Sequence, residues 1–455
     1  MIYFILGDTM KGTKRRTVKK DSSKKTPRKR IKLKYKNIAK LILLLIVIGG
    51  AIFFISTTDK DSTKKNENLK EEVQEQVKKD YKIPVVHFEG NISGIKNKKE
   101  VRTIKIKYQD ENKDLNYEMY AGLKLQGTSS LNYEKKNYNI TLYEDEDLSK
   151  KSKIDFGWGA QSKYCLKANW IDKTHARNIV TANLVADIQK KYDLFTNTPH
   201  NGTIDGYPVE IYLNGEFLGI YTWNIPKDDW MFSMDEDNEN HIVFAAEQWN
   251  PSNKFQTKGN YNDWSIEVGR GNAEDLKKLN RLINFVNTSS DEEFKRDFDQ
   301  YLDFDSTINY FIVMQYAKLS DNVAKNMLLV TYDGKVWQPS LYDLDTSWGT
   351  SWNGKGTSDY TQINNVYDSK LWKRMVELYP NEIAERYFEL KKDYLNKDAI
   401  MKRFNDFEAL IPEESFKKEN ERWENIPGFD YKQIEEFLNT REPIIDEYMN
   451  ELKNK

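Results

Sequence analysis

The residues best able to do chemistry lie between Ser320 and Gly349, in the segment SDNVAKNMLLVTYDGKVWQPSLYDLDTSWG. It holds Asp321, Asp343 and Asp345 together with Asn326. Carboxylate and amide oxygens are hard donors, and a divalent cation such as magnesium takes one or two carboxylates and fills its shell with water or phosphate oxygens. Two alternating apolar runs flank Asp333-Gly334, a strong short-range hairpin signal. With those two residues as the turn, Asn326 faces Leu341, and Asp343 faces Ala324 one step further out. Alternation then puts Asn326, Leu328 and Val330 on one face with Trp337, Leu341 and Asp343. Pro339 marks the second strand as an edge or a bulge. Taken singly, each Asp or Asn is better read as a cap for backbone groups at an element's end. Their convergence at one end of a hairpin is what points to a cation site.

The order of these residues adds to that reading. Asp321 precedes Asn326 by five positions, and a hairpin then leads to Asp343. A protein-kinase catalytic loop has the same spacing: an Asp acts as base, an Asn five residues later holds metal, and a metal-binding Asp follows a short hairpin. The histidine of that loop is absent here, and Asp-Leu-Asp stands where Asp-Phe-Gly would be.

The elements that must position these groups are legible as two regions. Residues 81–225 carry strand-like alternations at 103–108, 138–142 and 209–213. The last runs through Asn214-Gly215, a type I′ turn signal, into 217–221. Asp172 reads as the N-cap of a helix over about 173–191. Residues 274–320 and 366–455 have helical period, with Leu279, Leu282, Ile283 and Val286 on one stripe. The expected class is α+β, with a strand-rich lobe (81–225) followed by a helix-rich lobe (226–455).

Composition excludes several functions. The chain has 455 residues with 70 basic and 71 acidic side chains, but residues 1–36 hold 14 Lys/Arg against Asp8 and Asp21. The folded remainder is therefore acidic, which argues against nucleic-acid binding, since phosphate neutralisation needs the positive charge on the fold. The single Cys165 excludes an internal disulfide framework and a Cys-based zinc site, and four histidines without metal-ligand spacing make zinc hydrolysis improbable. Aromatics at 13% can build a substantial core despite only 38% hydrophobic residues.

Residues 1–36 read as a basic cytoplasmic tail, in which Met10 is an alternative start to Met1. Leu41–Ile55 is an unbroken apolar or Gly run, extended to Ile38 if Lys40 snorkels, and nearly long enough to span a bilayer. No small-x-small cleavage site follows it, so residues 37–56 are expected to be a retained signal anchor. The basic side stays cytoplasmic and residues 81–455 lie outside the cell membrane or in a spore envelope. Residues 57–80 are a charged stalk.

DNVAKN…PSLYDLDTSWG, in these surroundings, resembles the spore coat protein H (CotH) kinase family. Three further segments match that family in order: KLQGTSSLNYEKKNYNITL, KYCLKANWIDKTHARNIV and VEIYLNGEFLGIYTW. Together they span roughly residues 120–350. The resemblance implies an atypical, two-lobed kinase-like fold that uses ATP and Mg2+ to phosphorylate Ser residues of coat or surface proteins. It implies Asp321 as catalytic base and Asn326 and Asp343 as magnesium ligands, with Asp345 as a possible helper. It also implies Lys136 or its neighbour Lys135 at the nucleotide phosphates, Lys136 sharing strand parity with Tyr138, or else a solvated edge for both. Gly127, Thr128, Ser129 and Ser130 would form a phosphate-facing turn. Arg177 would be either a phosphate clamp or half of an internal salt bridge. Trp337, Trp348 and Trp352 would offer an adenine-stacking surface or simply core.

One departure matters. The family usually places a Glu after the Asn-Gly hairpin, whereas this chain has Trp223-Asn224-Ile225, leaving Glu210 or Glu247 as substitutes for orienting a lysine. Three functions follow: a membrane-anchored atypical serine kinase, a non-catalytic envelope or coat assembly module of the same fold, or a nucleotide-sugar transferase using Asp343-Leu344-Asp345. The absence of an upstream Gly-rich βαβ unit makes the last the weakest. The missing Glu and the scarcity of ATP outside cells support the second, but the four motifs in order make the membrane-anchored atypical serine kinase the expected function, with the non-catalytic module as its alternative.

Overall fold

The alternating segments after Tyr81 close on themselves as a barrel. The computed structural model describes residues 81–455. The expected tail, anchor and stalk of residues 1–80 lie outside the described residues. Among the described residues, no helix is long and apolar enough to cross a membrane.

The barrel strands are β1 (Val85–Glu89), β2 (Arg102–Asp110), β3 (Leu115–Gln126) and β4 (Asn137–Tyr143). A small hairpin, β5 (Ile154–Asp155) with β6 (Ala160–Gln161), precedes β7 (Lys163–Lys167), β8 (Gly206–Leu213) and β9 (Glu216–Asn224). The barrel order is β1-β2-β3-β4-β7-β9-β8, and the parallel pairing of β1 with β8 closes it. Period-two alternation sends Ile104, Ile106 and Tyr108 of β2 inward with Leu123, Ile140 and Leu142 of its neighbours. Phe156 fills the centre, 4.6 Å from the Tyr108 ring, 5.0 Å from Tyr164 and 5.1 Å from Trp223 between centroids.

Helix α1 (Arg177–Lys191) follows β7 in sequence but packs with the second core, through Ile179, Val180, Leu184 and Ile188. It begins later than the expected 173. The Asp172 carboxylate accepts hydrogen bonds from the Thr174 amide (3.1 Å), the Thr174 hydroxyl (2.6 Å) and the Arg177 amide (2.8 Å), which stabilises a turn ahead of the helix. His175 within that turn has φ +56°, which a continuous helix cannot accommodate.

The second lobe holds a four-stranded sheet that helical periodicity alone did not reveal: β10 (Ile242–Ala246), β11 (Trp264–Val268), β12 (Met327–Thr331) and β13 (Gln338–Leu341), ordered β11-β10-β12-β13. Its central strands, IVFAA and MLLVT, are buried throughout, and such uninterrupted apolar runs carry no period. Around it lie α2 (Ala273–Thr288), α3 (Asp291–Asp297), α4 (Phe304–Tyr316), α5 (Lys370–Leu378), α6 (Pro380–Lys391), α7 (Lys397–Glu408), α8 (Glu413–Arg422) and α9 (Tyr431–Lys453). Leu279, Leu282, Ile283 and Val286 are the buried stripe of α2, whose N-cap Asn272 accepts from the Glu274 and Asp275 amides.

The two turn signals had different outcomes. Asn214-Gly215 makes a two-residue turn, with φ of +51° and +88° and Leu213 opposite Glu216. Asp333-Gly334 does not. The Asp333 carboxylate accepts from the Lys335 and Val336 amides at 2.7 and 2.9 Å, and the Thr331 hydroxyl accepts from the Gly334 amide at 3.0 Å. Side chains thus hold the turn's donors, the loop widens to Tyr332–Trp337, and Met327 rather than Asn326 faces Leu341. The expected register is wrong by one residue.

A long-range contact fixes the barrel to the C-terminal helices. Glu419 of α8 accepts from the Ile220 amide at 2.7 Å and pairs with Lys135 at 2.6 Å, both side chains being buried. Gly219, at φ +147°, permits this approach: a Cβ would lie 2.7 Å from Lys135 Cε and 2.9 Å from Glu419 Oε2. We expect Gly219→Ala to cost about 1–3 kcal/mol by overpacking, read as a shift in denaturant midpoint. An unchanged midpoint would mean that α8 is not seated there.

Candidate active site

A cleft of about 730 Å³ opens between the barrel and the four-stranded sheet. The barrel contributes Leu125, the 126–130 turn, Asn137, Asn139 and Lys167, and the sheet contributes Ala245, Ser265, Glu267 and Leu328. Asp321, Lys325, Asn326, Tyr342, Asp343 and Asp345 line its floor.

Left-handed backbone brings the last group together. Asn326 and Asp343 sit at φ +57° and +56° at the start of β12 and just past the end of β13. Asn and Asp are among the few side chains that tolerate this region, and it redirects them where simple alternation would not. This explains how both residues line the cleft despite the shifted register. Asn322, fully buried, fixes the two strand ends by donating from Nδ2 to the Asn326 carbonyl (3.2 Å) and the Tyr342 carbonyl (3.1 Å). The Asn322 carbonyl in turn accepts from the Tyr310 hydroxyl at 2.7 Å.

Helix α1 steadies the Asp-Leu-Asp turn from behind. The Leu344 amide donates to Asn178 Oδ1 at 3.1 Å, and Trp348 Nε1 donates to Thr181 Oγ1 at 2.8 Å. Thr181 Oγ1 and Ser347 Oγ lie 3.0 Å apart. Two sequence segments far apart in the chain thus interlock to aim Asp343 and Asp345 into the cleft.

The expected site residues divide into two groups. Asp321, Asn326, Asp343, Asp345, Ser129 and Ser130 all line the cleft. Asp321 begins a short 3-10 turn and pairs with Lys325 at 3.7 Å. Gly127, with φ +105°, starts the hydroxyl-rich turn, and Lys98 donates to Thr128 Oγ1 at 3.4 Å above it.

Lys135, Lys136 and Arg177 are placed elsewhere. Lys135 is buried with Glu419, donating also to the Ala168 carbonyl at 3.0 Å. Lys136 donates to the carbonyls of Leu131 (2.8 Å) and Tyr133. The parity argument for Lys136 fails because β4 starts only at Asn137. Arg177 is fully buried, binding Asp172 and donating to Gln433 Oε1 at 2.7 Å. Trp337 and Trp348 are core, while Trp352, 68% exposed, stands at the cleft rim.

Lys167 at the end of β7 and Lys227 after β9 bring cations to the cleft instead, beside Lys98 and Lys325. Lys167 lies 3.7 Å from Asp343 Oδ1, and Lys227 lies 2.9 Å from Glu267 and 3.4 Å from Glu247. Burial works against the Lys167 ammonium, yet Tyr342 and Asp343 outweigh it and its pKa is raised. Sequence reading missed Lys167, although a lone lysine inside the apolar run Tyr-Cys-Leu-Lys-Ala was a usable signal. Glu210 is remote, bound to Ser415 (2.7 Å) and Lys418. Asn224 is buried in β9, away from the cleft lining.

Burial and the neighbouring Asp343 push the Asp345 carboxyl up to about 8. Among the described residues no cluster of three His, Cys, Asp or Glu is placed to hold a metal ion, so a cation here would rely on Asn326, Asp343 and Asp345 plus exogenous oxygens. That hard, oxygen-only set, with two mutually repelling carboxylates, fits magnesium. A folded-state pKa raised above the unfolded value means that stability falls as pH rises from about 4 to about 8 in metal-free protein. Magnesium should therefore raise the melting temperature more at pH 8.5 than at pH 6. Equal increments would contradict this placement of the acids.

Barrel, sheet and helices together define a mixed helix-and-strand protein with an acidic cleft between barrel and sheet. The chain matches the CotH kinase protein family over residues 123–445 and belongs to that family. No curated protein matches the chain.

Proposed function

We propose that the chain is an atypical protein serine kinase using ATP and magnesium, acting on coat or cell-surface proteins. The observation that carries this reading is the convergence of Asp321, Asn326, Asp343 and Lys167 on one cleft. Asp321 accepts the proton of the attacking serine hydroxyl, the γ-phosphoryl moves to that oxygen, and ADP leaves. Lys167 holds phosphate oxygens, and the 127–130 turn presents backbone amides and hydroxyls to the same chain of phosphates. Asn326, Asp343 and Asp345 hold magnesium, which supplies charge neutralisation across the phosphates when bound.

The reading includes an anchor at residues 38–55 that holds the domain outside the cell membrane or in the spore envelope. The proposed test incubates the full-length chain with radiolabelled ATP, magnesium and a Ser-rich basic peptide. Label on serine is the expected result. Asn178→Ala should reduce transfer by about tenfold through loss of the hold on Leu344, at a stability cost of about 1–3 kcal/mol. ATP binding without any transfer, across several Ser-rich substrates, would favour a binding module. The absence of the family's Glu at Asn224 and the scarcity of ATP outside cells are what favour that second reading.

A further inference from the structure

Asp321 stands where the chain leaves α4, and the hold on that exit comes from beyond the Asp-Leu-Asp turn. Helix α4 ends at Tyr316, Lys318 turns the chain at φ +58°, and Ser320 is the last residue before Asp321. A non-glycine residue in this left-handed region costs free energy, so the turn needs support from its surroundings. Asn364 supplies it. Its Oδ1 accepts from Lys318 Nζ at 3.1 Å and from Ser320 Oγ at 2.8 Å, and its Nδ2 donates to the Met314 carbonyl at 2.8 Å. Both lone pairs of that oxygen are thereby used. The Asn364 backbone adds a reciprocal pair with the Gln315 side chain, its amide donating to Oε1 at 3.0 Å and its carbonyl accepting from Nε2 at 3.2 Å.

Asn364 is itself fixed. It is 3% exposed, and Arg441 of α9 ties the chain just before it to α4. Arg441 Nη1 donates to the Tyr360 carbonyl at 3.0 Å and the Gln362 carbonyl at 2.6 Å, while Nη2 donates to the Gln315 carbonyl at 2.6 Å. Burial and the Arg441 charge lower the Lys318 pKa to about 8, so the Asn364 oxygen steadies a poorly solvated ammonium. The metal side of the cleft is held by other side chains, Asn322 at the two strand ends and Asn178 at Leu344.

We propose that Asn364 is the positioning residue for Asp321, acting through Ser320, and that it sets the rate of transfer rather than the affinity for nucleotide. This rests on the kinase reading in which Asp321 is the base. A base must lie within hydrogen-bond reach of the hydroxyl it deprotonates, and a small displacement lowers turnover without loosening ATP.

The test measures label transfer from radiolabelled ATP to a Ser-rich basic peptide by the full-length chain, with calorimetric ATP affinity in magnesium on the same preparations. Wild type is compared with Asn364→Leu, Asn364→Asp and Ser320→Ala. Asn364→Leu should lower kcat by about 10- to 100-fold and leave ATP affinity at the wild-type value. Ser320→Ala removes only the bond next to the base and should lower kcat by about three- to tenfold, again with ATP affinity unchanged. Asn364→Asp keeps an oxygen for Lys318 and Ser320, and the Met314 carbonyl retains the Leu319 amide at 3.0 Å, so this variant should recover part of the loss. A wild-type kcat in either folded Asn364→Leu or Ser320→Ala would overturn the proposal and leave the kinase reading intact. An equal fall in kcat and ATP affinity would show a merely structural role and would also overturn it. If Asn364→Leu does not fold, Ser320→Ala decides. If wild type transfers no label, the kinase reading fails and this proposal fails with it.

Discussion

Asp343→Asn is expected to lower phosphotransfer by about 10³-fold or more, because it removes a charged oxygen from the centre of the proposed magnesium site. The fold should survive. Asp343 is a cleft residue, and its counter-charge Lys167 keeps Asp345 as a second acidic neighbour. With the charge at 343 gone, the repulsion that helps hold the Asp345 carboxyl near 8 is relieved and its pKa should fall. Label transfer and a thermal melt of the same preparation read the two effects separately. Activity within tenfold of wild type, from a folded protein, would remove Asp343 from the machinery. A protein that fails to fold would show the residue to be structural.

The second large effect is on stability. Lys135 and Glu419 form a buried pair at 2.6 Å between side chains 0% and 3% exposed, and Glu419 also accepts the Ile220 amide. Burial lowers the Lys135 pKa, and Glu419 opposes that shift. His175 Nε2 lies 3.9 Å from Glu419, and burial together with the Lys135 charge lowers its pKa so that it stays neutral. Removing one member leaves an uncompensated buried charge, so Glu419→Ala or Lys135→Met should cost about 3–5 kcal/mol. The double variant Lys135→Met/Glu419→Leu should recover part of that loss, since a well-packed apolar pair is often no worse than the ions it replaces. Neither residue lines the cleft, so nucleotide binding per folded molecule should be nearly unchanged in a mildly destabilised variant. A Lys135→Met protein of full stability that no longer bound nucleotide would return Lys135 to the phosphate site and contradict the geometry.

How far the sequence was legible can be seen in particular residues. The Asn214-Gly215 hairpin and the α2 stripe were readable because their signals are local and periodic. Asp321, Asn326, Asp343 and Asp345 were found as a group because spacing along the chain carries the order in which they meet. The Asp333-Gly334 turn was misread because the Asp333 and Thr331 side chains, not backbone alone, satisfy its amides. Strand β10 was invisible to periodicity because both its faces are covered, and β12, equally buried, was read as a strand through the Asp-Gly signal that follows it. The burial of Lys135, offered beside Lys136 for the phosphates, was not legible because its partner, Glu419, comes from far along the chain. Lys167 and Lys227 were missed because what marks them is the cleft they share, which only the barrel and the sheet together create.

The most direct test of the account is ATP titration of the full-length chain with and without magnesium, beside Asp343→Asn. The account predicts magnesium-dependent binding by wild type and its loss in the variant, with the melting temperature of the variant near that of wild type. Binding of equal strength with and without magnesium, or no binding at millimolar ATP by a folded wild-type protein, would contradict it.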